Sequence, residues 1–161
     1  MNSRDVLRNL LSKQERNETL SSLYQYDFTA CDEMDGELIA VLIKIIGEPH
    51  TIEDTNAFAS FLSKTKNNAF IPPLIVTISR DTSAMSIWLA DYMYVLINLL
   101  NELDDYYPVD AEFVHLLGRW ISETEGGEIS WKASDVLCDV KSPVSKTYLI
   151  QGALDDSLLH L

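Results

Sequence analysis

Apolar residues recur along this chain at intervals of three and four, the spacing that gathers them on one side of an α-helix. After Ser3, a residue suited to an N-cap, Val6, Leu7, Leu10 and Leu11 predict a first helix over Arg4 to Lys13. Thr19 to Tyr26 continues helically with Leu20, Leu23 and Tyr24 inward. From Asp32 to Ile46 the set Leu38, Ile39, Val41, Leu42, Ile45 and Ile46 covers most of a helix circumference, and Gly47 and Pro49 supply the stop. Thr51-Ile52-Glu53-Asp54 matches a capping box, with Ala57, Phe58, Phe61 and Leu62 forming the face behind it. Ser83 to Leu103 is the longest periodic stretch, with Ile87, Trp88, Tyr92, Val95, Leu96, Leu99, Leu100 and Leu103 on one broad face. Asp110 caps a further helix through Ile121 that Gly126-Gly127 ends, and Ser134 to Val140 and Pro143 to Gln151 read as shorter helices, the last with Ser142 as its N-cap.

Only Leu74 to Ile78 is ambiguous. Its β-branched run suits a strand, whereas Pro72 and Pro73 suit a helix start. No second strand offers itself for pairing, so a short buried helix is the better reading. The expected fold class is therefore all-α, with about seven or eight helices in an irregular multi-helix bundle or a short stack of helical hairpins. Prolines 49, 72–73, 108 and 143 give the rhythm of such a stack, without a recurring repeat consensus.

Composition adds one domain over residues 1–161. A chain of this length buries roughly two thirds of its unfolded surface, and its 47% hydrophobic content excludes wholesale disorder. Cys31 and Cys138 form no C-x-x-C pair and are expected to be reduced, buried thiols. The apolar runs fall short of a membrane span and no secretory leader is evident at Met1, so a cytoplasmic protein without membrane association is expected.

Charge changes the picture more. The net value is −13, and residues 1–16 are net basic while residues 81–161 carry fourteen acids against four bases. Such a surface repels phosphate backbones, so direct nucleic-acid binding is disfavoured and a basic protein is the natural partner. Phosphate-cradling, nucleophile-elbow and H-E-x-x-H motifs are missing from the sequence. Glu112-Phe113-Val114-His115 is the nearest approach to a metal motif, but it occurs once where di-iron bundles use it twice. Asp32 to Glu37 lacks the ligand order of a calcium loop. No catalytic residue, cofactor or metal is expected.

Two acidic, aromatic turns stand out. Glu102, Asp104, Asp105, Tyr106, Tyr107, Asp110 and Glu112 span the connection between two apolar helices, with one tyrosine expected in the core if the turn is an ordinary loop. Glu123, Glu125, Glu128 and Trp131 surround the Gly-Gly turn, where Trp131 alternatively caps the core. Carboxylates beside exposed aromatics offer charge complementarity and rigid contact area. In size, acidity and helical character, and in these two turns, the chain resembles the immunity proteins of bacterial toxin and immunity pairs, including those of contact-dependent growth inhibition. That resemblance implies a non-catalytic inhibitor that neutralises a basic toxin domain such as a nuclease; it rests on character rather than a motif, so no residue role carries over. Alternatives are a DNA-mimicking anti-restriction protein, an adaptor or scaffold of helical hairpins, and an enzyme whose paired acids occupy an apolar cleft.

Overall fold

The periodic stretches fold as nine α-helices among the described residues, which in this computed structural model are 3–23, 35–123 and 127–159, with side chains for 4–23, 35–123 and 127–154. The helices are α1 (Ser3–Leu11), α2 (Arg16–Ser22), α3 (Gly36–Ile46), α4 (Thr55–Thr65), α5 (Ile71–Arg80), α6 (Leu89–Asn101), α7 (Ala111–Glu123), α8 (Glu128–Asp139) and α9 (Ser145–Leu159). Short polar side chains set several starts. Asp35 accepts from the Glu37 amide at 3.0 Å, Asp54 from Ala57 at 2.9 Å and Asp110 from Phe113 at 2.8 Å, each satisfying a first-turn donor. Pro72 and Pro73 open α5, where missing amide hydrogens cost nothing, and Leu74, Thr77 and Ile78 are buried behind them. The ambiguous segment is thus a helix.

Several boundaries differ from the expectation for identifiable reasons. Ser3 lies inside α1 rather than capping it. Thr51 does not cap α4, because its hydroxyl donates back to the Glu48 carbonyl at 2.7 Å and leaves the role to Asp54. The helix expected from Ser83 begins only at Leu89. Asp81 accepts the Ser86 amide at 2.9 Å and the Ser83 hydroxyl at 3.2 Å, and Ala84 adopts a left-handed backbone (φ 56°), so residues 81–88 form a tight loop. Ile87 consequently stands 94% exposed instead of entering the core. Helix α8 starts at Glu128, well before Ser134, since Ile129 already belongs to the apolar face of Ala133, Val136 and Leu137. Ser142 accepts the Val144 amide at 3.4 Å just ahead of α9.

The helices stack in two rows, in each of which a helix touches the next helix but one in the chain. One row runs α2, α4, α6, α8 and the other α1, α3, α5, α7, α9, with α1 on α2, α5 on α6, and α8 on both α7 and α9 between rows. The fold is mainly α, as the periodicity led us to expect. Along the first row Thr55 donates to Asp91 at 2.6 Å, Asn98 to Ser63 at 3.3 Å, and Lys66 pairs with Glu102 at 3.3 Å. First turn meets first turn and last meets last, so α4 and α6 are parallel. The hydrogen-bonded partners are 35 or 36 residues apart, as are Asn17 and Glu53 one step earlier. Pro73, Pro108 and Pro143 recur at an interval of 35, the first in the opening turn of α5 and the others just before the starts of α7 and α9.

Helix α6 is the most enclosed: Leu89, Tyr92, Met93, Val95, Leu96, Leu99 and Leu100 are buried in one contiguous apolar cluster. Burial raises the Tyr92 hydroxyl pKa far above its ordinary value, and the proton it keeps is donated to the Ile46 carbonyl at 3.0 Å. Two short strands, β1 (Tyr107–Pro108) and β2 (Val140–Lys141), pair in parallel and tie the α6–α7 turn to the α8–α9 turn. No helix among the described residues is long and apolar enough to cross a membrane.

Candidate functional site

The α6–α7 connection is pinned at three points. Glu102 closes α6 and pairs with Lys66, Tyr107 and Pro108 bond to β2, and Asp110 is committed to capping α7. Between these anchors Asp104, Asp105 and Tyr106 form the apex. Tyr106 is 66% exposed, while Tyr107 is half-buried and packs on the core, so the two adjacent tyrosines divide between solvent and interior. Among the described residues Asp104, Asp105, Glu112 and Glu123 meet no cationic side chain within ion-pair distance. All four are exposed to solvent.

Glu123, Glu128 and Trp131 lie at the other end of α7, which is about 20 Å long for thirteen residues. The two acidic turns consequently lie at opposite ends of α7. Glu125 lies outside the described residues. Glu128 pairs with Lys132 at 3.6 Å, and Trp131 is 72% exposed rather than capping the core. What joins the first turn instead is the end of α8, brought there by the β1–β2 bridge. Asp139 is there, with its carboxyl pKa raised by partial burial and secondarily by Asp135.

Glu112 and His115 are both exposed, and the His115 Nδ1 shares a hydrogen bond with the Tyr148 hydroxyl, the rings meeting edge-on at 5.7 Å. Tyr148 sits so close over Gly118 that a Cβ there would overlap its ring, which is why α9 approaches α7 at that position. Among the described residues no three His, Cys, Asp or Glu side chains converge as a metal site. Of the acidic run before α3, residues 32–34 lie outside the described residues, and Asp35 serves as the α3 cap. Cys138 is exposed, contrary to the expected buried thiol, because it stands on the polar side of α8 between Asp135 and Asp139; partial burial and then those two carboxylates raise its pKa. Cys31 lies outside the described residues.

The chain matches no protein-family model, no curated protein and no solved structure. The surface offers unpaired carboxylates on a braced turn, an exposed ring among them, and a second aromatic group on the flank of α6 and α8. Sequence reasoning missed that second group. Tyr94 is 46% exposed on α6, and the Lys132 ammonium lies 5.5 Å from its ring centroid. The available signal was an aromatic residue two positions after Tyr92, out of phase with the buried stripe.

Proposed function

We propose that this chain is a non-catalytic acidic binding domain that neutralises a basic protein partner, in the manner of an immunity protein covering a toxin such as a nuclease. The carrying observation is the apex Asp104-Asp105-Tyr106, solvent-facing, without ion pairs and held in place by anchors on both sides. Exposed like charges steer a basic partner and raise its association rate, whereas a ring seated in the interface slows dissociation. Pre-bracing lowers the ordering cost of binding.

Affinity capture on the intact chain at low salt, followed by kinetics with the captured partner, tests the proposal. Asp104→Asn with Asp105→Asn should lower the association rate and flatten its salt dependence, since these charges act through a field screened over about 8 Å at physiological ionic strength. Tyr106→Ala should raise the dissociation rate by about tenfold or more if the ring is a hot spot. A partner indifferent to both changes rejects the turn as the interface. The two-row stack favours a second reading, a helical-hairpin adaptor, which expects contacts along a row and little salt dependence.

A further inference from the structure

Residues 82–88 hold a conformation that their own side chains do not favour. Ala84, of the residue type with the highest helix propensity, sits in the left-handed region at φ 56°, where its Cβ crowds the following carbonyl. Met85 lies four residues before Leu89 and seven before Tyr92, in phase with the buried stripe of α6, yet it is 81% exposed. Helical backbone has already begun behind it. Trp88 is helical (φ −83°, ψ −13°), the Leu89 amide donates to the Ser86 carbonyl at 3.2 Å and the Tyr92 amide to the Trp88 carbonyl at 3.1 Å. What turns the chain aside is Asp81. Its buried carboxylate accepts the Ser86 amide on one oxygen and the Ser83 hydroxyl on the other, and its carbonyl accepts the Ala84 amide at 3.3 Å.

We infer that residues 82–88 are a strap held off α6 by Asp81, and that withdrawing this carboxylate lets α6 grow backwards by about one turn and swings Met85 onto its buried face. In the extended state the Ser86 amide exchanges Asp81 for the carbonyl four residues earlier, that of Thr82, and Leu89 exchanges Ser86 for Met85. Thr82 and Ser83 then stand where a cap is needed, and both are favoured capping types. Ile87, in phase with Asp91 and Tyr94 on the outer side of α6, stays in solvent in either state. Charge-assisted bonds to Asp81 thus oppose the left-handed Ala84 and the exposure of Met85, and one side chain sets where the helix begins. The strap precedes α6 and the acidic apex follows it, with thirteen helical residues, or about 20 Å, between them, so neither depends on the other.

Heteronuclear NMR and thermal melts on the intact chain test the strap. Asp81→Ala should give residues 84–88 helical Cα shifts, slow exchange of the Trp88 amide by about tenfold, and move the Met85 methyl signal to a buried environment while Ile87 stays exposed. Asp81→Asn, which keeps one acceptor oxygen, should shift the same signals partway and stands in if Asp81→Ala does not fold. Ala84→Gly supplies an independent sign. Left-handed backbone suits glycine, so this change should raise Tm by about 1–3 °C in the otherwise unmodified chain. In either Asp81 variant residue 84 is helical, and the same change should lower Tm by about as much. Non-helical shifts at residues 84–88 in the Asp81 variants overturn the strap, as does a Tm change of the same direction for Ala84→Gly in both backgrounds.

Discussion

The two flanks of α6 are built differently. Toward α4 the outward side chains are paired with one another: Asp91 with Thr55 and Asn56, Asn98 with Ser63, Glu102 with Lys66. Toward α8 the outward contact is a single lysine over a ring, with Trp131 left in solvent. Between the two flanks lie the buried leucines of α6. The difference is that polar bonds between helices hold the α4 flank in register, whereas on the α8 flank a cation rests on a ring over an apolar contact.

The most direct way to break the contrast is to strip each flank in turn. Asp91→Ala leaves the Thr55 hydroxyl and Asn56 amide without their acceptor and should cost about 1–3 kcal/mol in urea unfolding. Lys132→Met should change stability by no more than about 0.5 kcal/mol. Comparable losses on the two flanks would refute the distinction.

Both flanks also depend on α6 beginning at Leu89, which Asp81 enforces. Burial acts to raise the Asp81 pKa, but hydrogen bonds from Ser86, Ser83 and Met85 outweigh it and hold the carboxyl below its ordinary 3.8. A depressed acid contributes stability that is complete above the ordinary pKa and lost as pH falls through the lowered one. Asp81→Asn should therefore destabilise at pH 7 by about 1–2 kcal/mol, and the gap to the unmodified chain should close in melts run below pH 4. Asp139, at the far end of α8, has the opposite sign. Its raised pKa means that ionisation opposes folding at neutral pH, so Asp139→Asn should raise Tm at pH 7 by about 1–2 °C and confer nothing once the pH lies below 3.8. A small effect also belongs to Lys66 and Glu102, both well exposed. A double-mutant cycle should give about 0.2–1 kcal/mol of coupling, declining with salt.

Much of the fold was legible in the chain because helical periodicity reports burial directly. Leu38, Phe58, Leu96 and Trp120 are all buried where their spacing placed them. Two of the misread boundaries, those of α4 and α6, share a cause, side chains that bond locally. Asp81 and Thr51 satisfy nearby backbone groups in loops, and periodicity carries no record of that competition. At the candidate site, the capping by Asp110 follows from the pattern around it, whereas which of Tyr106 and Tyr107 faces solvent does not. The pairing of Tyr94 with Lys132 does not, since it joins residues from different helices whose approach is set by the stacking of rows. Nor does the separation of the two acidic turns, which α7 imposes by its length.

The stacking of each helix on the next but one has a kinetic side. Substantial helix contacts join helices no more than two apart in the chain, so closing any of them requires a loop of only a few tens of residues. Local closure of this kind gives low contact order and rapid folding. The chain's two ends need never find each other: α1 to α4 can settle as they leave the ribosome, and each later hairpin adds to a template already formed.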